Sequence, residues 1–225
     1  MKKKRIKSLI FGISGQDGSY LSHFLINKKH DICGTTRNSN RSNLKNLTRL
    51  GILKKVKIIK CDIADFFAVK KLIKKIKPDE IYYLCGQSSV TESYIDPREA
   101  FKSNILGLLN ILEIVKKTNK KIKIFNAVSG QFYGDRKKNI YNEKSYINPQ
   151  SPYGISKASS FWLTKIFREW YGIKCCSGIL FNHESPLRSN EFVTKKIINC
   201  SKLIKKGKLK HLYLGNINIY RDWGW

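Results

Sequence analysis

A doubly wound α/β fold is what this sequence predicts: a parallel sheet with helices on both faces, followed by a smaller lobe. Strand-like apolar runs alternate with helical runs along the whole chain. The first such run, Ser8-Leu9-Ile10-Phe11, enters a glycine turn at Gly12-Ile13-Ser14-Gly15-Gln16-Asp17-Gly18. The turn leads into Leu21, Phe24 and Leu25, which are spaced for one helical face. Strand, glycine turn and helix in this order open a Rossmann-type dinucleotide-binding unit. Glycines let the backbone approach a pyrophosphate, the helix N-terminus offers N–H groups to it, and Gly18 lets helix and sheet pack closely. The spacing is Gly12-x-x-Gly15-x-x-Gly18 rather than the commoner G-x-G-x-x-G. A plain tight turn would use the same residues; the position directly after the first strand favours the cofactor.

The other elements follow in order. Residues 31–36 read as a second strand and 56–59 as a third. Residues 64–77 read as a helix ended by Pro78. A fourth strand covers 81–84, and a long helix then sets Ile105, Leu108, Leu109, Leu112 and Val115 on one side. Residues 122–125 form a fifth strand, 151–171 a helix and 175–181 a sixth strand. A helix over 193–205 and a strand at Leu212-Tyr213-Leu214 complete the pattern. We divide the chain into an NADP-binding domain over 1–181 and a partial substrate-binding lobe over 182–225. The last residues, Arg221-Asp222-Trp223-Gly224-Trp225, come directly after a strand-like run, as expected of a lobe cut short.

Composition narrows the function. A chain of 225 residues with 41% hydrophobic content, 11 Tyr and 11 Phe can bury one good core. No apolar run reaches the ~20 residues of a membrane span. Met1-Lys2-Lys3-Lys4-Arg5 has the charge of a signal-peptide start, but the apolar stretch behind it is short and breaks at the glycine turn, so a cytoplasmic location is expected. The six cysteines (Cys33, Cys61, Cys85, Cys175, Cys176, Cys200) show no C-x-x-C spacing and mostly sit in apolar runs. Reduced buried thiols are expected, with no metal site. The net charge of +28 is compatible with nucleic acid, an anionic membrane surface or an anionic small substrate. In Lys70-Lys71-Leu72-Ile73-Lys74-Lys75-Ile76-Lys77 the apolar residues keep helical spacing, so these lysines form a solvated face. No nucleic-acid-reading motif accompanies the charge.

Two groups carry the chemistry. At the end of the second strand a site selective for NAD would place an acidic residue for the ribose hydroxyls. This chain has Thr35-Thr36-Arg37-Asn38, with Arg41 further on, and an arginine there pairs with a 2′-phosphate, favouring NADP. Tyr153 and Lys157 are four residues apart and share a helical face. A lysine beside a phenol and a cationic nicotinamide favours the phenolate, which can take a proton from a substrate hydroxyl. Ser129 closes the fifth strand, where a hydroxyl can polarise the same substrate oxygen. An exposed helical pair would also read Tyr-x-x-x-Lys; the order glycine turn, Ser, Tyr-x-x-x-Lys is far more specific.

These segments resemble the extended short-chain dehydrogenase/reductases and, within them, the GDP-mannose 4,6-dehydratases. The resemblance runs from Leu9 to Gly224. Besides the glycine turn it is carried by Pro78-Asp79-Glu80-Ile81-Tyr82, Gly86-Gln87-Ser88-Ser89-Val90, Ser151-Pro152-Tyr153-Gly154-Ile155-Ser156-Lys157 and Asn182-His183-Glu184-Ser185-Pro186-Leu187-Arg188. Phe192-Val193-Thr194-Lys195-Lys196, Leu214-Gly215-Asn216 and Arg221-Asp222-Trp223-Gly224 complete it. The resemblance implies that Gly12, Gly15, Gln16, Asp17 and Gly18 hold the cofactor pyrophosphate, that Arg37 meets the 2′-phosphate of NADP, and that Asp62 lies near the adenine. Gln87, Ser88, Tyr153, Lys157, His183 and Arg188 would line the nicotinamide end. Asn182, Val193, Lys196 and Arg221 would face a GDP-sugar, with the two basic groups neutralising its diphosphate. It further implies a homo-oligomer, and members that continue by on the order of a hundred residues, a domain-sized piece.

One departure bears on the chemistry. The family places a glutamate two residues after the Ser/Thr that ends the fifth strand; this chain reads Ser129-Gly130-Gln131. In the family's cycle NADP oxidises C4, a carboxylate removes the C5 proton and helps expel water, and the hydride returns to C6. An amide cannot shuttle that proton. Asp135 and Glu184 are the carboxylates nearby in sequence. A nucleotide-sugar reductase or epimerase of the same fold, and an NADP-binding remnant without dehydratase activity, therefore stand beside the dehydratase reading.

Overall fold

The computed structural model describes residues 4–40, 42–134, 140–218 and 221–224. The chain divides into two units, Met1–Leu180 and Phe181–Trp225. In the first, the elements run β1 (Lys7–Phe11), α1 (Gln16–Asn27), β2 (Asp31–Thr36), α2 (Lys45–Arg49), β3 (Lys57–Lys60), α3 (Phe66–Ile76), β4 (Glu80–Tyr83), α4 (Val90–Ile95), α5 (Pro97–Phe101), α6 (Gly107–Thr118), β5 (Lys123–Ser129), α7 (Pro152–Glu169) and β6 (Cys175–Leu180). A π-helical segment, Lys102–Leu106, joins α5 to α6, and a 3-10 turn, Gly130–Tyr133, follows β5. The second unit holds β7 (Asn182–His183), α8 (Val193–Lys205) and β8 (Trp223–Gly224).

The six strands of the first unit form one sheet in the order β3-β2-β1-β4-β5-β6, every pair parallel. Phe11 at the end of β1 stands opposite Thr35 on one side and Tyr83 on the other. The order of connection reverses between β1 and β4. The crevice at that switch point opens at their C-terminal ends, where β1 delivers the glycine turn and β4 delivers Cys85-Gly86-Gln87.

Burial on both faces explains why β1 reads as an unbroken apolar run. Side chains alternate along a strand. Leu9 and Phe11 enter one apolar cluster with Val69, Leu72, Ile81, Leu108, Leu112 and Val115, contributed by α3, β4 and α6. Ile10 enters the opposite cluster with Ile13, Leu25, Ile32 and Leu47. Each fully buried aliphatic side chain contributes about 1.5–3 kcal/mol. On α3, Val69, Leu72 and Ile73 are buried while Lys71, Lys74 and Lys75 are exposed, so the lysine run is the solvated face its spacing predicts. Asp65 caps that helix by accepting from Ala68 N at 3.0 Å.

Three expectations are corrected. Phe24 does not share the buried face of α1; it is 56% exposed, with Lys28 Nζ 5.5 Å above its ring. The helix begins at Gln16, and it buries Gly18, Ser19, Ser22 and Leu25, so Phe24 lies about 100° round from Leu25. The long helix before β5 is not uniform, since the π-helical segment precedes α6. Residues 212–214 form no strand: Tyr213 is exposed, and the small sheet of the second unit pairs Asn182 with Trp223 and His183 with Gly224 instead. Of the cysteines, Cys33, Cys61 and Cys175 are buried as expected, whereas Cys176 is exposed.

Candidate active site

The glycine turn is shaped by two different demands. Gly12 has φ +90°, and a Cβ there would lie 2.9 Å from the Cys85 backbone. A Cβ at Gly18 would strike the Gly12 carbonyl and come within 2.8 Å of Ile13 Cα. Both positions are fixed by the protein's own packing. Gly15 is different. It caps α1 at φ −69°, and a Cβ there would meet only the Gly12 oxygen, at an ordinary 3.4 Å. Its lack of a side chain keeps the outer face of the turn clear. Gly12 N and Ile13 N both donate to Thr35 O at 3.3 Å, tying the turn to β2, and Gly15 N donates to Gly12 O at 3.1 Å. The N-cap of α1 is Gly15, which has no side chain to cap it, at the end of a helix that favours an anion. Asp17 lies in that first turn, where Gln16 Nε2 donates to its Oδ1 at 3.4 Å.

Beyond β2, Arg37 is largely exposed and its NH1 lies 2.7 Å from Glu99 Oε1. Asp62, after β3, accepts from Ala64 N at 2.9 Å and faces Lys102 Nζ at 3.4 Å. The Ala64 N–H, helped by Lys102 and Arg37, holds the Asp62 carboxyl below its ordinary range. Arg41 and Asp135 lie outside the described residues.

After β4 the chain is pinned by a polar network on the π-helical segment. Gln87 N donates to Ser103 Oγ at 2.9 Å, and Asn104 Nδ2 donates to Gln87 O at 3.0 Å and to Ser156 Oγ at 3.1 Å. Ser156 Oγ donates to Tyr153 O at 2.8 Å, and Tyr83 OH donates to Ser103 O. Gln87 Oε1 and Asn104 Oδ1 are buried acceptors with no hydrogen-bond partner among the described residues. Ser88 is exposed beside them.

Tyr153 and Lys157 lie on the first turns of α7, which Ser151 caps by accepting from Gly154 N at 3.0 Å. Both are buried, and Lys157 Nζ stands 5.8 Å from the Tyr153 ring centre. Lys157 Nζ donates to Ala127 O at 3.0 Å, which anchors α7 to the strand that ends at Ser129. Burial pushes the ammonium down to about 8; Cys85 and Asp17 act in the opposite direction. Ser129 Oγ accepts from Gln131 N at 3.3 Å, so Ser129 and Gln131 are joined at the mouth of β5.

The second unit carries the remaining residues. His183 sits on β7 with Nδ1 2.8 Å from Phe181 O, and Asn182 pairs with Trp223. Arg188 Nε lies 3.2 Å from Glu184 Oε1, close enough for an ion pair but not aligned for a hydrogen bond. Its guanidinium stacks 3.5 Å from the Phe192 ring centre, and Thr194 Oγ1 donates to Glu184 Oε2. Glu184 is thus engaged within its own unit. Val193 begins α8 half-exposed, Lys196 Nζ donates to Tyr213 O at 2.6 Å, and Arg221 is exposed.

With this geometry in hand, comparison decides the family. The family model described as GDP-mannose 4,6 dehydratase matches residues 9–225. The chain belongs to the GDP-mannose 4,6-dehydratase family. It is 37% identical over 227 residues to the GDP-mannose 4,6-dehydratase of Vibrio cholerae serotype O1, covering 96% of this chain and 60% of the relative. It is 38% identical to GDP-mannose 4,6 dehydratase 1 of Arabidopsis thaliana, covering 99% and 64%, and 36% identical to the human GDP-mannose 4,6 dehydratase, covering 100% and 62%. The chain therefore spans 60–64% of the length of these relatives. Among solved structures, dTDP-glucose 4,6-dehydratase from Bacillus anthracis in complex with NAD superposes with a TM-score of 0.81 at 21% identity, over 97% of this chain and 67% of that one. UDP-glucose 4-epimerase from Thermotoga maritima with UDP-glucose gives 0.82 at 23%, over 97% and 69%. These two likenesses bear on the fold alone.

Sequence reading within this family did not find Ser93, Ser103, Asn104 or Glu99. Ser93 is fully buried; its Oγ accepts from Tyr153 N at 3.1 Å and donates to Val90 O at 2.6 Å. The one signal for Ser103 and Asn104 is a pair of small polar residues just before the apolar stripe of α6.

Proposed function

We propose that the chain is a nucleotide-sugar 4,6-dehydratase that uses NADP to convert GDP-mannose to GDP-4-keto-6-deoxymannose. The observation that carries this reading is the buried Lys157 beside Tyr153, anchored on the strand that ends at Ser129. A dinucleotide suits the crevice on two counts. Among the described residues nothing packs against the outer face of Gly15, and none donates to the buried acceptors Gln87 Oε1 and Asn104 Oδ1. Gly12, Gly15, Gln16, Asp17 and Gly18 would hold the pyrophosphate, Arg37 the 2′-phosphate, Asp62 the adenine end, and Gln87 and Ser88 the nicotinamide end.

When bound, the cofactor supplies a hydride acceptor that is restored within the same cycle. The chain's own residues manage the protons. Ser129 Oγ would polarise the C4 oxygen and Tyr153 would take its proton, with the Lys157 cation stabilising the phenolate. In the second unit, His183 and Arg188 are assigned to the nicotinamide end, and Asn182, Val193, Lys196 and Arg221 to the GDP-sugar. The first unit is the NADP-binding domain and the second part of the substrate lobe. We further infer a cytoplasmic homo-oligomer. An exposed stripe, Trp162 and Ile166 on α7 and Trp170 just past its end, supports the self-association.

One observation favours a second reading: Gln131 stands where the dehydration step wants a carboxylate. A reductase or epimerase needs only Ser129, Tyr153 and Lys157, and a remnant that binds NADP needs none of them. Incubation of the protein with NADP and GDP-mannose, followed by mass spectrometry of the nucleotide sugar, separates the dehydratase from the other two. Loss of one water is expected. An unchanged mass alongside NADP-induced thermal stabilisation would reject the dehydratase.

A further inference from the structure

Four charges meet beyond the ends of β2 and β3. Arg37 NH1 is 2.7 Å from Glu99 Oε1, and Lys102 Nζ is 3.4 Å from Asp62 Oδ2. Arg37 also acts through space on Asp62. Two cations and two carboxylates therefore form one neutral group, in a chain of net charge +28. Within it Glu99 is the most sheltered, its side chain 27% exposed against 72% for Arg37, 50% for Lys102 and 52% for Asp62.

Glu99 is also firmly mounted. Its N–H donates to Asp96 Oδ1 at 3.0 Å, the first-turn cap of α5. Its carbonyl accepts from Ser103 Oγ at 2.7 Å, and the same hydroxyl accepts from Gln87 N. The carboxylate thus rests on the network that shapes the loop after β4, while its arginine partner sits on an exposed turn after β2.

We propose that Glu99 is a specificity-determining residue that competes with the 2′-phosphate for Arg37 and so narrows the preference for NADP over NAD. The inference rests on the dinucleotide reading above. A guanidinium recognises carboxylate and phosphate through the same planar set of donors. A phosphate monoester carries about −1.5 to −2 charge at neutral pH. To reach Arg37 it must displace Glu99 or share the guanidinium with it, and sharing sets like charges side by side. The ribose hydroxyl of NAD meets no such conflict, because a hydroxyl can donate to the carboxylate. Arg37 alone would mark a strict NADP site; Arg37 held by Glu99 marks a permissive one.

The test is a double-mutant cycle on Arg37→Ala and Glu99→Gln, with Kd for NADP and NAD measured by calorimetry on each protein. Glu99→Gln is expected to tighten NADP about fivefold, the upper range for a partly exposed ion pair, and NAD by less than about twofold. In the Arg37→Ala background it should leave NADP unchanged. Equal effects on both cofactors, or weaker NADP binding in the single variant, would overturn the proposal by making Glu99 a mere support for its loop. A wild type that binds NADP with no coupling between the two sites overturns this inference alone. A wild type that binds neither nucleotide overturns the dinucleotide reading with it. Should Glu99→Gln fail to fold, Glu99→Asp withdraws the carboxylate by one methylene and must shift the two affinities in the same unequal way.

Discussion

Lys157 donates its ammonium to the carbonyl of Ala127 at 3.0 Å from within the protein. With the bonds from Asn126 Nδ2 to Ser160 O and Thr164 Oγ1, that bond ties α7 to β5, and it leaves a buried cation with most of its hydration removed. Burial lowers its pKa from 10.5 to about 8. Between those values the unfolded chain still holds a proton that the folded chain has released, so stability rises with pH across that window. The full effect is about 3 kcal/mol. Lys157→Met is expected to match or exceed wild-type stability at pH 7, with the gap closing toward pH 10.5, while activity is lost. Urea midpoints at several pH values check this, and parallel profiles for the two proteins would sink it.

Gly15 and Gly18 should separate fold from function. A Cβ at Gly18 has no room against the Gly12 carbonyl, so Gly18→Ala should destabilise the protein by about 1–3 kcal/mol. Gly15→Ala meets only an ordinary contact, and its stability should stay within about 0.5 kcal/mol of wild type. If the turn cradles a pyrophosphate, that same variant loses NADP affinity. Thermal melts with and without NADP read both effects; a Gly15→Ala protein stabilised by NADP as strongly as wild type would falsify the cradle.

What the sequence discloses and what it hides follow from the range of the forces. The β1–turn–α1 unit is readable because its glycines answer local sterics within a few residues. Tyr153 and Lys157 are readable because they sit four apart behind a Ser151-Pro152 start, a helix signal that needs no distant partner. The partners of these groups are not. Glu99 meets Arg37 across 62 positions and Ser93 meets Tyr153 across 60. Neither pairing leaves a period in the sequence. β8 is two residues long, too short for any alternation, whereas the apolar 212–214 run looks like a strand and pairs with none among the described residues.

Ser93 is expected to act through Tyr153. Its buried hydroxyl accepts the Tyr153 N–H at the start of α7, where helical N–H groups have no carbonyl partner of their own. Ser93→Ala leaves that donor unsatisfied at about 1–3 kcal/mol. Ser93→Thr keeps the acceptor. Alanine should therefore lower both melting temperature and kcat, with threonine restoring kcat in larger measure than stability because of its extra methyl. Equal kcat in alanine and threonine variants would remove any positioning role.

On the proposed dehydratase reading, Gln131 sets how much of the cycle the chain would perform. Its N–H bonds Ser129 Oγ at 3.3 Å, so the residue sits at the mouth of β5 beside the group that would polarise C4. A carboxamide can neither take the C5 proton nor hand it to the departing hydroxyl, whereas a general base in that place is typically worth 10²–10⁴-fold. Gln131→Glu keeps the shape of the side chain and restores the carboxylate. The variant should release the dehydrated sugar about 10²-fold faster than wild type, with the C4 oxidation step unchanged. Stopped-flow absorbance of the reduced nicotinamide reports the oxidation, and mass spectrometry of the quenched sugar reports the water. Were the wild type to lose water as fast as Gln131→Glu, another group would be the base, and Gln131 would have no part in the proton transfer.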